Sequence, residues 1–593
     1  MQTLPRLIRD SLKEPRETVL AERSGQGWRT VSSAQLLERV ESLACAIRDA
    51  GLAAGERVAL IAADSVDWIA ADFATLFANC VVVPVFPTQA PDQVAFILQN
   101  SQAKLIFVDT AAAAQRLRDL GIPLPPIVVF ACARERSLQA FEARGRVVRA
   151  AHPEQPGTFE REIDAQAMAV LIYTSGTTGE PKGVMLSHAN LVWDVEATFS
   201  QAFSTLTKGS RTLSVLPFSH IYEHCVIYGY LFSRAEHYIS HGVDELLGDL
   251  KDVRPVIMTA VPRIFERMIA GTTAKAKAHG GLQAKLVPWA LAVGRDYMSA
   301  KTRGVPPARL LRVQFLLARA LVLKKLRPLL GLDRLRFFAS GSAPLHFDTA
   351  MTMLGAGIPI VEGYGPTECS PVITANTFAG NRYGTVGRPI PGVEIRTAPD
   401  GEILARGPNV MLGYYKNQAA TDEVLRDGWY HTGDIGAIDM DGFLRITDRK
   451  KELFKTSGGK FISPARLEAA IKRSVYVNQV MLVGDSRPYP AALVSPNWDL
   501  VRGELGIAKD VPAAQIARRS DVLQFMTREV RAYTADFAKF EQVRKIAILP
   551  RELSVEDGDL SPTLKVRRRV VEAKYAREIG ALYADAPPAA AAV

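Results

Sequence analysis

Eleven residues, Tyr173 to Gly183, read YTSGTTGEPKG and gather the groups a polyphosphate needs. Gly176, Gly179 and Gly183 let the backbone turn sharply and approach a ligand. Thr174, Ser175, Thr177 and Thr178 add hydroxyls and Lys182 adds a cation, so the stretch could form a nest for phosphate oxygens. It is not a Walker A loop, which needs Gly-Lys followed by Ser or Thr; here Pro181 precedes Lys182 and Gly183 follows it. A flexible surface loop is the competing reading, better suited to a generic Gly/Ser/Thr stretch than to this order. The apolar run from Met168 to Ile172 reads as a buried strand, so a loop leaving a strand end is expected, with Lys182 in it.

Two more glycine-bearing segments follow apolar runs. SGSAPL, Ser340 to Leu345, leaves an expected strand at Leu335 to Ala339, and GYGPTE, Gly363 to Glu368, leaves one at Ile358 to Glu362. Loops of this kind at strand ends make the crevice where α/β proteins bind nucleotides. Farther on come GWYHTGD, ending at Asp434, ITDRKKELFKTSGGK, Ile446 to Lys460, and LSPTLKVRRR near the end.

These segments, in this order, closely resemble the motifs of the adenylate-forming enzymes: acyl-CoA synthetases, peptide-synthetase adenylation domains and luciferases. The resemblance implies ATP, Mg²⁺ and CoA as cofactor and co-substrates. It places Thr174, Ser175, Gly176, Thr177, Thr178, Gly179 and Lys182 on the phosphates, and Gly341, Ser342 and Ala343 on the adenine and acyl side. Gly363, Tyr364 and Gly365 would meet adenine, Tyr364 by stacking, and Thr367 the phosphate. Glu368 would hold the metal, in keeping with a hard cation bound by one or two carboxylates plus phosphates and water. Asp434 would accept the ribose hydroxyls and Arg449 would sit near ribose or phosphate; without that context Arg449 reads as part of a solvated charge cluster. The same resemblance makes Lys451 the hinge, Gly458 and Gly459 the approach to the CoA arm, and Lys565 the catalytic lysine, a residue that by charge pattern alone is a solvated cation.

Resemblance to the long-chain fatty acid branch appears in VVVPVFPT, LPFSHIYEH and VPRIFERM. His220, expected at a strand end, is by itself more readily a structural residue; the resemblance puts it beside the acyl group and phosphate. No acidic residue opens that segment, where amino-acid-activating relatives carry an aspartate, so a carboxylate without an α-amino group is expected. Alternatives are an acyl-AMP ligase serving a carrier protein, disfavoured by an uninterrupted SGGKFISP, and an inert membrane-associated binding homologue.

Positioning these groups requires a large scaffold. With 593 residues the chain exceeds one core, so at least two domains are expected. Leu36, Leu37, Val40, Leu43, Ala44 and Ile47 share a helical face that Gly51 stops. Runs Arg57 to Ile61, Val81 to Val85, Lys104 to Val108 and Ile127 to Phe130 alternate with helical segments, which implies parallel sheets covered by helices. The expectation is an α/β protein with residues 1–447 as a large domain of helix-covered sheets, 448–583 as a small mobile α+β domain that rotates about the hinge, and 584–593 as a disordered Ala/Pro tail.

The segment 271–330 reads as basic helices whose apolar residues either complete the core or meet anionic lipid as a peripheral membrane contact. Composition is that of a globular protein, 48% hydrophobic and 23% charged. The net charge of +10 suits ATP, CoA or an anionic surface, or reflects a generally basic proteome; no nucleic-acid recognition motif is present. Five dispersed cysteines, Cys45, Cys80, Cys132, Cys225 and Cys369, fit a reducing compartment better than disulfides or zinc. The amino-terminal residues lack a signal-peptide core and no apolar run is long enough to span a bilayer. A cytoplasmic protein is expected, with fatty acid as the acyl substrate and the oligomeric state open, a dimer included.

Overall fold

The computed structural model describes all residues except 1, 26, 132–136, 176–179, 451–452, 458–459, 562–565 and 585–593. A seven-stranded sheet is built around the short apolar runs. Arg57–Ile61 lies between Val81–Pro84 and Leu105–Thr110, Leu105–Thr110 pairs with Ile127–Ala131, and all these pairings are parallel. Their near-continuous burial is what helix cover on both faces demands. Met168–Ser175 joins Val81–Pro84 in parallel, and Pro181–Ser187 and Gly413–Tyr414 extend the edge antiparallel. Helix Ser33–Asp49 packs on helices Val66–Phe77 and Leu138–Ala151, which lie against the strands, its start fixed by a reciprocal cap between Ser32 and Gln35.

A nine-stranded sheet carries the other motifs. Ile257–Ala260, Phe337–Ser340 and Ile360–Tyr364 run parallel side by side, so the loops after the last two leave from the same edge. The last of these strands runs farther than expected, so that Gly363 and Tyr364 lie in it. A smaller antiparallel sheet contains Glu402–Arg406, Trp429–Ile438 and Leu444–Arg449.

The carboxy-terminal part has its own three-stranded sheet, Val477–Val483, Ala491–Pro496 and Lys545–Ile548, and its own core of Leu467, Ile471, Val480, Val494, Met526 and Val530. It touches the larger part where His346 Nε2 meets the Ala469 carbonyl at 2.7 Å and Arg473 approaches Asp348 at 3.6 Å. Cys45, Cys80, Cys225 and Cys369 are free and buried; Cys132, Lys451, Gly458, Gly459, Lys565 and residues 585–593 lie outside the described residues. No helix among the described residues is long and apolar enough to cross a membrane.

Helix Leu138–Ala151 crosses helix Ser33–Asp49 at Gly145, where an added Cβ would sit 1.8 Å from the Ser42 carbonyl oxygen. Alanine there gains up to about 1 kcal/mol of helix propensity, but forcing two backbones apart costs about 1–3 kcal/mol. Gly145→Ala is therefore expected to lower the melting temperature; an unchanged or raised value would show that the two helices separate freely.

Candidate active site

The expected phosphate loop lies between two antiparallel strands, Met168–Ser175 and Pro181–Ser187. Thr174 faces Lys182 and Ser175 faces Pro181 across the antiparallel pair, so Lys182 lies on the returning strand rather than in the loop. Gly176, Thr177, Thr178 and Gly179 lie outside the described residues. Lys182 Nζ stands 5.0 Å from the centre of the Tyr414 ring, and the Tyr414 hydroxyl donates to Glu368 Oε1 at 2.7 Å. Burial and the nearby Glu368 push the Tyr414 phenol well above its ordinary range, so it remains a donor. Tyr414 was not singled out from the sequence; an aromatic opposite the lysine strand became visible only once the strands were paired.

Asparagines hold this corner together. Asn190, in the reciprocal cap of helix His188–Gln201, donates from Nδ2 to the carbonyls of Pro408 and Val410 at 2.6 and 3.0 Å. Asn409 Nδ2 donates to the carbonyls of Cys369 and Val372 at 3.1 and 2.7 Å. The turn bearing Thr367 and Glu368 and the segment leading to Tyr414 are thus tied to one another. Cys369 is fully buried and its thiol is pushed up by that burial, which makes it inert.

A second cluster forms where the sheets meet. Asp434 and Arg449 are directly opposed across their strands, with Arg449 Nε donating to Asp434 Oδ1 at 2.9 Å and the Tyr364 hydroxyl donating to Oδ2 at 2.7 Å. Asp434 is only 6% exposed. Each carboxylate oxygen retains a further acceptor position, so this group can still accept hydroxyls. Gly365 has a packing reason of its own: a Cβ there would lie 1.8 Å from the Pro371 carbonyl oxygen.

Loop Gly341–Ala343 is backed by Tyr222, whose ring lies 3.3 Å from where a Gly341 Cβ would be and whose hydroxyl donates to the Ala339 carbonyl at 3.1 Å. Ser342 is left-handed, with φ of 65°. Ser340 Oγ, buried at the root of this loop, has no hydrogen-bond partner among the described residues. His220 is not at a strand end: it caps helix Ile221–Phe232, its Nδ1 accepting from the Tyr222 amide at 3.1 Å. That bond fixes Nε2 as the protonated nitrogen of the neutral ring.

Two acidic groups near His220 escaped the sequence reading. Asp64 accepts from the Phe218 amide at 2.9 Å, and burial pushes its carboxyl up to about 7. Glu223, in the first turn of the capped helix, is fully buried and bonded to Ser214 and Thr259, and burial pushes it up to about 8. Among the described residues no three His, Cys, Asp or Glu side chains converge as a self-sufficient metal site. Glu368 alone matches the sparse protein donation of Mg²⁺ shared with phosphates.

The raised Glu223 value carries a sign. The folded chain keeps this proton until about pH 8, whereas an unfolded glutamate releases it near its model value of 4.5, so rising pH costs stability between these values. Glu223→Gln removes a slope of at most about 1.4 kcal/mol per pH unit. Its denaturation midpoint is expected to fall less than that of the wild type from pH 5.5 to 7.5; parallel falls would refute the assignment.

Comparison with known proteins bears on the family and the fold. A family described as AMP-binding enzyme matches residues 9–415, and its C-terminal domain matches residues 452–587. The long-chain-fatty-acid–CoA ligase FadD15 of Mycobacterium tuberculosis is 34% identical over 94% of this chain and 92% of that protein. The long-chain-fatty-acid–CoA ligase heimdall of Drosophila melanogaster is 30% identical over 98% of this chain and 95% of that protein. Among solved structures, the adenylation domain of a carboxylate reductase from Mycobacterium chelonae superimposes with a TM-score of 0.75 at 22% identity, covering 98% of this chain and 91% of that one. ATP-bound MatB from Rhodopseudomonas palustris gives 0.69 at 22% identity, covering 97% and 98%. With two sheets meeting at the Tyr364–Asp434–Arg449 cluster and a separate carboxy-terminal unit, the chain belongs to the AMP-binding, adenylate-forming enzyme family.

Proposed function

We propose that this chain activates a long-chain fatty acid through an acyl adenylate to its CoA thioester, releasing AMP and pyrophosphate. The observation that carries the reading is the pairing of Lys182–Tyr414–Glu368 with Tyr364–Asp434–Arg449 in a chain 34% identical, over nearly its whole length, to a long-chain-fatty-acid–CoA ligase. A carboxylate is a poor electrophile. Its oxygen first bonds to the ATP α-phosphorus while the bond to pyrophosphate breaks. The CoA sulfur then bonds to the acyl carbon, and the bond to AMP breaks.

In this reading Thr174, Ser175, Gly176, Thr177, Thr178, Gly179, Lys182 and Thr367 hold the phosphates. Tyr364, Asp434 and Arg449 hold the nucleoside between Gly363–Gly365 and Gly341–Ala343. His220, its Nδ1 engaged by the helix start, presents Nε2–H toward the acyl carboxylate. Glu368 would hold Mg²⁺, which supplies charge neutralisation on the phosphates when bound. The protein's contribution is chiefly positioning and electrostatic stabilisation.

The two half-reactions need different groups at one site. Residues 448–583 are assigned as a unit that rotates against 1–447 about Lys451, withdrawing Lys565 and bringing Gly458 and Gly459 to the CoA arm, with 584–593 a tail. Such gating changes turnover without touching substrate. The reading places the enzyme in the cytoplasm, with peripheral membrane contact through 271–330; a dimer is compatible with it.

The direct test supplies ATP, Mg²⁺ and CoA with acids from acetate to oleate and measures AMP and acyl-CoA. A rate maximum at long chains with one thioester per AMP is expected. Acyl adenylate accumulating without thioester would replace CoA by a carrier-protein acceptor. Lys565→Ala is expected to slow adenylation on the order of 100-fold or more, in line with losses of transition-state charge partners, while thioester formation from supplied acyl adenylate persists; equal loss of both steps would remove Lys565 from its assigned role.

A further inference from the structure

Strand Arg211–Ser214 and helix Ile221–Phe232 are joined by residues 215–220, the connection that delivers His220. Along it, the Phe218 amide donates to Asp64 Oδ1 at 2.9 Å, the Ser219 hydroxyl to the Val85 carbonyl at 3.3 Å and the His220 amide to the Pro217 carbonyl at 3.0 Å. Its two ends are closed on one another by Glu223. Oε1 of that residue is bonded to the hydroxyl of Ser214, the last residue of the strand, and Oε2 accepts from the Thr259 hydroxyl at 2.8 Å. Ser214 Oγ meets His237 Nε2 at 2.8 Å in turn. Glu236–Ile239, Arg211–Ser214 and Ile257–Ala260 are successive strands of the nine-stranded sheet. One carboxyl therefore pins the first helical turn across three strands.

Glu223 is fully buried. Placing a carboxyl there carries a desolvation cost that its hydroxyl partners only offset, and apolar groups of the same shape would serve stability about as well. What the carboxyl adds is direction: bonds to two strands fix the rotation and height of the first turn. Two side chains sit on that turn. Tyr222 has a second anchor, its hydroxyl on the Ala339 carbonyl at 3.1 Å, and so keeps its place behind Gly341 without Glu223. His220 accepts the Tyr222 amide at Nδ1, so its ring follows the turn.

We propose that Glu223 is the positioning residue of His220: it holds the start of helix Ile221–Phe232 against Ser214 and Thr259, so that the His220 ring stays aimed at the acyl carboxylate. This deepens the fatty acid reading, on which the role of His220 rests. Glu223 touches neither acid nor nucleotide in this assignment and acts through the turn alone. Its effect falls on the step that brings the acid to the α-phosphorus, where a displacement of about 1 Å costs on the order of 100-fold. The hold on ATP, assigned to groups on other strands, is left intact.

The test measures oleate-dependent ATP–pyrophosphate exchange in the full chain. Glu223→Ala is expected to lower kcat/KM for oleate roughly tenfold or more, with KM for ATP unchanged. Glu223→Gln, which accepts from one hydroxyl and donates to the other, should restore most of the loss. Thr259→Val, which leaves the glutamate in place and deletes one donor, carries the same contrast where Glu223→Ala does not fold, with an expected loss of about threefold. Added to His220→Ala, Glu223→Ala should cost little more, because the ring it acts through is already gone. Full additivity of those two substitutions, a Gln variant as impaired as Ala, or a KM for ATP that rises in step would overturn the positioning role. Hydrogen exchange across residues 216–224 reads the clamp without turnover: faster in Glu223→Ala, as in wild type in Glu223→Gln. A wild-type chain that activates no acid would remove the ligase reading and leave the clamp to that exchange, where unchanged protection in Glu223→Ala would overturn it.

Discussion

The Asp434 carboxylate is the point on which the arrangement depends. It is nearly inaccessible to water, and a buried charge left without partners costs several kcal/mol. Its partners come from different sheets: Tyr364 from the nine-stranded sheet and Arg449 from the neighbouring strand of its own. Arg449 is 46% exposed, so solvent screens its contribution, and the Tyr364 bond is the one that holds the sheets in register. The next residue continues the tether: Lys450 Nζ reaches Asp400 and Glu402 at 2.6 and 3.0 Å, and its amide donates to the Gly433 carbonyl at 2.8 Å. The chain is fastened to the smaller sheet up to Lys450.

On the side that the proposed function gives to phosphate, Tyr414 holds opposite charges apart. Lys182 sits against its ring and Glu368 accepts from its hydroxyl. Neither charge needs to neutralise the other, and both stay available to an anionic ligand and its cation. Cation–π contacts are worth about 0.5–2 kcal/mol, too little to resist a triphosphate that offers Lys182 a full charge. The contact orients the lysine without sequestering it.

What was legible in the sequence follows from where the information lies. The strands at 57–61, 81–84, 105–110 and 127–131 were readable because β-branched runs buried on both faces leave an unbroken apolar signature. The motif glycines and Asp434 were readable because their chemistry is packed into a few consecutive residues. Tyr414, 46 residues from Glu368, and Asp64, 154 from Phe218, were not, because no local pattern announces a partner that only sheet pairing delivers. His220 was misplaced for a related reason. PFSHIYEH has no periodicity separating a strand end from a helix cap, and the cap shows only when its ring is found bonded to the Tyr222 amide. In the 309–329 segment aliphatic residues outnumber what one helix face can bury, so a two-way choice between core and surface had no single answer: the segment does both.

The buried side of that segment reaches the strand that carries the SGSAPL loop. Phe315, Val322 and Leu326 belong to the same apolar cluster as Phe338, on the strand that ends at Ser340, and half-buried Tyr222 and Leu345 pack against it. Tyr222 backs Gly341, and Leu345 closes the SGSAPL loop. The buried side of 309–329 and the strand that ends at Ser340 therefore share one apolar cluster.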